Sequence, residues 1–208
     1  MTTNFAQVQA ARLGETNLMA DIIGDAFAGL AVSRFLIPDD AARPRMLSGV
    51  LYPLVVAALN DGMVWTDATH VSAAVWFNVP PGGLPEPPGY ATIRARLLGE
   101  LAGKFAAFEQ AMHAHHPHGE PFWHLALLAV RPSLHGIGLG SALLAHHHRQ
   151  LDHLRSPAYL EASSQDSRRL YLRHGYTDHG DPFPCAPGGP LLYPMVRHPS
   201  ENEGSANL

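Results

Sequence analysis

The sequence predicts a single mixed α/β domain, with a β-sheet of about seven strands flanked by helices, for three reasons. The chain has 208 residues, 46% of them hydrophobic and 15% charged, which suits one domain with a sizeable core. Residues 122–130 are almost continuously apolar, as expected for a central strand covered on both faces. After this run, strand-like and helix-like segments alternate, an order typical of α/β domains. We assign residues 1–199 to the domain and expect residues 200–208 to form a flexible polar tail.

The N-terminal elements follow from helical spacing and turn residues. Thr16 or Asn17 is placed to cap a first helix that reaches Phe27. Pro44 and Pro53 are expected to interrupt a second helix, because proline disrupts helical hydrogen bonding. The other elements predicted here are a strand at 8–13, the second helix ending near 59, strands at 63–66 and 71–77, and a loop at 80–88.

The C-terminal elements carry longer patterns. Apolar residues at helical spacing between 92 and 116 predict the longest helix of the chain. Gly175 is expected to end a later helix, because glycine tolerates the backbone conformation found after a helix C-terminus. The other elements predicted here are strands at 122–130, 157–161, 176–181 and 191–196, and helices at 141–154 and 166–174.

The most informative segment is the loop before the helix at 141–154, where Gly136, Gly138 and Gly140 alternate with other residues. Glycines let backbone N–H groups approach an anion closely, and a helix N-terminus adds partial positive charge. The loop therefore predicts a pyrophosphate cradle, although a turn that only packs helix on strand is the alternative. Glu161 follows Gly140 by 21 residues, which also suits a dinucleotide-binding fold. The G-x-G-x-G spacing disfavours that fold, and no lysine follows the glycines as a Walker A loop requires.

Further motifs accompany this loop. In chain order the motifs are Val130-x-Pro132, His135-x-x-Gly138-x-Gly140 and Tyr171-x-x-x-Gly175-Tyr176. Together they resemble the GCN5-related N-acetyltransferase (GNAT) superfamily and, within it, the group of puromycin N-acetyltransferase and its relatives. The likeness runs along segments 33–65, 73–80, 120–141 and 157–176. It implies a sheet whose central strand splays from its neighbour, and an acetyl-CoA-dependent N-acetyltransferase activity.

The resemblance implies that acetyl-CoA, the co-substrate, binds in the gap beside the splayed strand. Leu128 and Val130 would offer backbone groups to the acetyl carbonyl and the pantetheine, and the glycine loop would hold the pyrophosphate. The family usually carries other residues at the positions of His135, Ile137 and Ser167, which implies a somewhat weaker affinity for acetyl-CoA. The expected cofactor-binding residues are Leu128, Ala129, Val130, His135, Gly136, Ile137, Gly138, Leu139, Gly140, Ser141 and Ser167.

The resemblance also places Tyr171 as the general acid that protonates the leaving thiolate. A phenol with a reference pKa of about 10 stays protonated at neutral pH; a core tyrosine is the alternative role. A proton acceptor is needed as well, because alkyl amines are mostly protonated at pH 7. Glu161, at the end of the strand beside the splay, is the first candidate. His124 is the second because imidazole titrates near neutrality, and each of the two could instead be structural.

The sequence specifies the substrate that accepts the acetyl group less well than it specifies the co-substrate. Trp76 and Asn78 stand at a strand end beside the loop at 80–88, and they suggest an aromatic-walled pocket for a compact substrate. Phe77, between these two residues, is expected to contribute to the same wall. We therefore favour a primary amine on a small molecule, antibiotic-like amines included, over protein or peptide amines. A non-catalytic acyl-CoA-binding sensor is the competing class, and the presence of Tyr171 favours catalysis.

Composition excludes several other classes. A formal net charge of −4 without a basic run disfavours a nucleic-acid partner. No apolar stretch approaches the roughly 20 residues of a membrane span, and no secretory signal is evident, so we expect a cytoplasmic monomer or homodimer. The chain has 14 histidines, but three consecutive helical residues such as 146–148 cannot share one ion, and those at 113–118 suit a solvated helix end. No functional metal is expected.

Overall fold

A computed structural model describes residues 7–200, so the predicted tail lies outside the described residues apart from Ser200. The described chain contains both strands and α-helices. In chain order they are β1 (Val8–Ala10), α1 (Thr16–Phe27), α2 (Ala31–Leu36), α3 (Arg43–Asp61), β2 (Met63–Asp67), β3 (Ser72–Val79), α4 (Tyr90–Leu98), α5 (Ala102–His115), β4 (Phe122–Val130), α6 (Leu139–Leu154), β5 (Ala158–Ala162), α7 (Gln165–Arg173), β6 (Thr177–Asp178), β7 (Phe183–Pro184) and β8 (Leu191–Arg197).

The strands form one open sheet in the order β1-β2-β3-β4-β5-β8-β6, and β7 pairs with β8 off this path. Within the described sheet, β4 and β5 run parallel, whereas the other neighbours are antiparallel. The predicted mixed α/β class is confirmed. The sheet has eight strands rather than about seven, because β7 is a two-residue strand that is too short to leave an alternating pattern in the sequence.

The parallel pair at the centre of the sheet separates soon after it forms. Trp123 pairs with Ala158 and His124 with Tyr159, and the register of β4 and β5 extends no further among residues 7–200. β4 nevertheless continues to Val130 and therefore presents an unpaired edge to β5. A bulge between β3 and β4 falls just beyond the paired residues and increases the local twist. The result is a gap beside the central strand.

Helices cover both faces of the sheet. On one face, α1 and α3 pack over the strands around buried residues such as Ile23 and Val50. On the other face, α6 and α7 pack around a second buried cluster that includes Leu143 and Leu160. Among residues 7–200, no helix combines the length and the apolar character needed to cross a membrane.

Three helix boundaries differ from the sequence-based expectation. Pro53 lies inside a continuous α3 instead of interrupting it, because burial against the core outweighs the lost hydrogen bond. The single helix expected at 92–116 is divided at Gly99, whose φ of +52° separates α4 from α5. Thr16 is the first residue of α1 rather than its cap, and its hydroxyl donates a hydrogen bond to the Leu13 carbonyl.

Candidate active site

A cavity of about 780 Å³ lies beside the gap between β4 and β5. Its walls come from the first three helices, the α4–α5 pair, the strands at the centre of the sheet and the start of α7. Most of the wall is apolar. Four acidic residues line the cavity, and no lysine or arginine of the described chain does; the acids are Asp61, Glu86, Glu109 and Glu161. Such a wall suits a ligand that combines an apolar body with a positive charge.

The glycine turn precedes α6. Gly136 has a φ of +82° and Gly138 a φ of +91°, values that glycine adopts without steric strain. No atom lies within 4 Å of the position that a Cβ would take at either glycine, so the space above the turn is open. The first α6 bond runs from the Ala142 N–H to the Gly138 carbonyl, which leaves the N–H groups of 139–141 without helical partners. These groups form a cradle of the kind that holds phosphate anions.

Along β4, the main-chain N–H and C=O groups of successive residues point alternately towards β3 and towards the gap. The Arg131 N–H donates to the Val71 carbonyl on the β3 side. Because alternate residues of an antiparallel ladder share one direction, Ala129 also bonds towards β3, whereas Leu128 and Val130 face the gap. Ala129 is 1% exposed, and its side chain packs in the core. The structure therefore directs Ala129 away from the gap, against its prediction as a cofactor contact.

The polar side chains of the glycine turn are tied to the protein. His135 Nε2 donates to the Val130 carbonyl at 2.9 Å, and Ser141 Oγ lies 3.0 Å from His174 Nε2. Ile137 is 54% exposed and contributes no polar side-chain atom. An anion at this turn would therefore have to be held by backbone N–H groups.

Two predicted residues lie on α7, whose start is capped by serines. The Ser167 N–H donates to Ser164 Oγ, and the Ser164 N–H donates to Ser167 Oγ, each at 3.1 Å. The Ser167 hydroxyl is thereby engaged in the cap, although Ser167 also lines the cavity. One turn later, Tyr171 lies in the same wall and is 8% exposed. Burial raises the pKa of its phenol, so Tyr171 keeps its proton at physiological pH and can serve as a proton donor.

Glu161 and His124, predicted as alternatives for one role, are hydrogen-bonded to each other. Glu161 Oε2 lies 2.9 Å from His124 Nε2, and both residues line the cavity. Burial by itself would raise the pKa of the Glu161 carboxyl, but His124 and His116 outweigh burial and lower this pKa to about 2. The Glu161 carboxylate is therefore ionised at physiological pH and accepts protons weakly.

Trp76 and Asn78 lie outside the cavity lining, which corrects their prediction as acceptor contacts. The Trp76 indole is fully buried on the opposite face of the sheet, with its ring 4.3 Å from the ring of His147 on α6. Phe77, the residue between them, does line the cavity. Successive side chains of a strand point to opposite faces, so the aromatic wall comes from this residue.

Sequence reasoning missed two features of the cavity. His116 Nε2 lies 3.2 Å from Glu161 Oε1, and nothing in the sequence separates His116 from the solvated histidines around it. Across the cavity, the Tyr90 hydroxyl and the Arg94 guanidinium both donate to the Glu109 carboxylate, which joins α4 to α5. Helical spacing could have placed Arg94 beside Tyr90 on α4, where the guanidinium lies over the tyrosine ring, but it could not have indicated Glu109 on the next helix as the partner of both.

Comparison with known proteins gives a consistent result. The family model of the acetyltransferase (GNAT) domain matches residues 92–178. A Corynebacterium glutamicum protein described as histone acetyltransferase HPA2 and related acetyltransferase has a TM-score of 0.64 at 22% identity, over 95% of this chain and 98% of that chain. Mosquito arylalkylamine N-acetyltransferase like 5b has a TM-score of 0.58 at 15% identity, over 92% and 99%. Drosophila melanogaster polyamine N-acetyltransferase has a TM-score of 0.54 at 19% identity, over 92% of this chain and 99% of that chain. At these identities the likeness establishes the fold.

Proposed function

We propose that this chain, which has the GNAT fold and matches the GNAT acetyltransferase domain over residues 92–178, is an acetyl-CoA-dependent N-acetyltransferase for a primary amine of a small molecule. One observation carries the proposal. The open edge of β4, the Tyr171 phenol and the His124–Glu161 pair all line one cavity, which reaches the glycine turn at His135. A binding groove, a proton donor and a proton acceptor therefore meet in one place.

The gap and the turn fit acetyl-CoA by their chemistry. Main-chain groups of Leu128 and Val130 would bond the pantetheine arm, as an added strand would, and the N–H groups of 139–141 would hold the diphosphate. When bound, acetyl-CoA supplies an acetyl group activated as a thioester. No step of this binding needs the side chains of His135 or Ile137.

The reaction releases one proton, because an ammonium and a thioester become an amide and a thiol. We assign acceptance of this proton to His124 Nδ1, because Nε2 of the same ring is bonded to Glu161. The Glu161 carboxylate holds the ring in place and stabilises the imidazolium that forms. The Tyr171 hydroxyl donates its proton to the sulfur atom as the C–N bond forms and the C–S bond breaks, and the second proton lost by the nitrogen returns to the phenolate.

The cavity wall favours an amine with one charge and an apolar body. Phe77, Phe105, Phe108 and Met112 contribute aromatic and thioether surface, and Glu161 supplies a buried negative charge. Of the other acids in the wall, Glu109 is bonded to Tyr90 and Arg94, and Asp61 and Glu86 are exposed. The second ammonium of a polyamine held deep in the cavity would therefore lie against the apolar wall, which is costly without a partner. We therefore rank arylalkyl and amphipathic monoamines above polyamines and above protein amines.

Calorimetric titration with acetyl-CoA, followed by a thiol-release assay over an amine panel, tests the proposal. The panel comprises arylalkylamines, aminonucleosides, aminoglycosides, polyamines and peptides with free N-termini. We expect one acetyl-CoA site per chain and fastest release with a monoamine. Binding without release above hydrolysis would favour an acyl-CoA sensor. Fastest release with a peptide would make the chain a protein acetyltransferase, and absence of acetyl-CoA binding would refute both enzyme and sensor.

A further inference from the structure

Three side chains from separate elements meet at the bottom of the cavity. His116 follows α5, His124 lies on β4 and Glu161 lies on β5. Glu161 Oε2 is 2.9 Å from His124 Nε2, and Glu161 Oε1 is 3.2 Å from His116 Nε2. One donor atom of each residue lies within 4.8 Å of the other two. Two imidazoles therefore approach one carboxylate, each at a different oxygen.

One of the two contacts is not a hydrogen bond. Glu161 Oε1 and His116 Nε2 are both buried, and neither has a hydrogen-bond partner among residues 7–200 despite their short separation. The Glu161 side chain is only 5% exposed. Leaving a buried carboxylate oxygen without a hydrogen bond is costly, and a cation bound to both atoms would remove this cost.

The separations suit two ligands of one cation. With Zn–N and Zn–O bonds of about 2.0–2.1 Å, neighbouring ligand atoms of a tetrahedral zinc site lie about 3.3 Å apart. The 3.2 Å between His116 Nε2 and Glu161 Oε1 is close to that value, and His124 Nε2 lies 2.9 Å from the second oxygen of the same carboxylate. Mg²⁺ and Ca²⁺ prefer sets of oxygen ligands, whereas imidazole nitrogen suits Zn²⁺ and its transition-metal neighbours.

We propose that His116, His124 and Glu161 form a binding site for a divalent transition metal of the Zn²⁺ class, with one coordination position open to the cavity. The site differs from the expectation of no functional metal, because its members are distant in sequence and only the fold brings them together. His124 lies in the paired part of β4 and β5, and Glu161 lies two residues beyond it, where β5 pairs with β8, so both side chains are carried by the sheet.

The third ligand is held from the other side. The Tyr159 hydroxyl donates to the His115 carbonyl at 3.0 Å, which ties the end of α5 to β5 next to His116. The His116 ring also packs edge-on against Phe122 and Tyr159. His116 also lines a second, smaller cavity of about 210 Å³.

Metal binding would compete with acetyl transfer, a consequence that rests on the proposed function. A metal ion on His124 Nε2 and Glu161 would oppose formation of the imidazolium, because two positive charges would share one ring. It would also repel the ammonium group of the acceptor. The metal would therefore act as an inhibitor of the transferase rather than as its cofactor.

Calorimetric titration of the metal-free protein with Zn²⁺ tests the site. We expect one site per chain, and at least about tenfold weaker binding in the His116→Gln and Glu161→Gln variants. The matched control is His118→Gln, which changes an exposed histidine two residues away and should bind as the unmodified chain does. Circular dichroism reports whether each variant is folded, and the partly exposed His116 gives the test if Glu161→Gln does not fold.

Co²⁺ provides a second readout, since four-coordinate Co²⁺ absorbs visible light much more strongly than six-coordinate Co²⁺ on a protein surface. The absence of Zn²⁺ binding would overturn the proposal. So would several weak sites that persist in both His116→Gln and Glu161→Gln, or a single site that is lost only in His118→Gln. If Zn²⁺ binds but no amine is acetylated, the proposed function fails alone. If an amine is acetylated and Zn²⁺ neither binds nor inhibits, the metal site fails alone.

Discussion

Tyr171 is one of two buried tyrosines in the C-terminal motif, and the structure separates their roles. Tyr171 lines the cavity, whereas the Tyr176 hydroxyl bonds to His148 in the core. We expect Tyr171→Phe to bind acetyl-CoA normally and to lower kcat by about 10²–10⁴, the usual cost of losing a general acid. Tyr176→Phe is the matched control and should lower stability while leaving kcat near its original value. Steady-state kinetics and thermal unfolding measure both effects, and full turnover in Tyr171→Phe would assign the acid role to another group.

A substitution at Gly138 can likewise test acetyl-CoA binding separately from folding. Its φ of +91° makes any side chain strained by about 1–2 kcal/mol, yet a Cβ there would touch no atom within 4 Å. We expect Gly138→Val to remain folded, with a lower Tm, and to lose acetyl-CoA binding because the new side chain occupies the phosphate cradle.

Gly180→Val controls for the strain in Gly138→Val, since Gly180 has a φ of +81° and equally open space but lies in a distant turn. Gly180→Val should show the same decrease in Tm as Gly138→Val, and calorimetric titration should show that it binds acetyl-CoA as the unmodified chain does. Equal affinity in both variants would show that the turn does not hold the diphosphate.

Sequence patterns located individual site residues unevenly. Tyr171, Glu161 and His124 come from motifs and strand positions, and the structure brings all three to one cavity. Trp76 was misplaced because the face to which a strand side chain points depends on register with its neighbours. His116 was missed because its position relative to Glu161 depends on how α5 ends, which no local pattern specifies.

The open edge of β4 makes a prediction at the scale of one strand. The N–H groups of Leu128 and Val130 face the gap, whereas that of Ala129 bonds towards β3. We expect amide hydrogen exchange, followed by NMR, to be faster at Leu128 and Val130 in the free protein and to slow there when acetyl-CoA is added. Ala129 should be protected in both states. Slowing at Ala129 alone would mean that the strand presents its other edge.

Helix α6 carries two buried histidines that make the fold sensitive to acid. His147 Nδ1 accepts from the Trp65 indole and His148 Nε2 contacts the Tyr176 hydroxyl. Burial lowers the pKa of His147 to about 4 and that of His148 to about 3. Both rings are therefore neutral in the folded protein, whereas the unfolded chain takes up protons below about pH 6.5.

The contribution of these two histidines to the free energy of unfolding should consequently be constant above pH 6.5. It should decrease as the pH falls from 6.5 towards 4. The decrease should approach about 1.4 kcal/mol per pH unit for each histidine. Urea unfolding at several pH values measures it. His153→Gln, at an exposed position of the same helix, should leave the slope unchanged, and a flat profile between pH 6.5 and 4 would contradict neutral burial.

Elements with a long or repeated pattern were predicted well. β4 occupies the predicted residues 122–130, and the β2–β3 hairpin and α6 begin and end within a few residues of their expected bounds. α2 and β7 were not predicted, because six and two residues are too few to establish a period. The break at Gly99 was missed because one glycine in a helical pattern is usually tolerated.

The charge of the whole molecule gives the last prediction. The net charge of −4 and the acidic cavity wall should attract a cationic acceptor. At saturating acetyl-CoA, we expect kcat/KM for a monoamine to fall as salt rises from about 0.01 M to 1 M, because the screening length shortens from about 30 Å to 3 Å. kcat should change little, because the bound amine is already desolvated. A kcat/KM that is constant or rises with salt would show that the charge of the molecule does not guide the acceptor.

A sheet that separates at its centre has edges in its interior as well as at its two ends. Beyond the two paired residues, β4 and β5 expose main-chain groups to each other across the gap. Unpaired strand edges are templates on which strands of other molecules can add. In the absence of ligand this protein therefore carries an internal template for self-association, and the molecule that fills the gap also shields the template. The opening that we propose for the co-substrate is thus also an unpaired edge to which another strand can add.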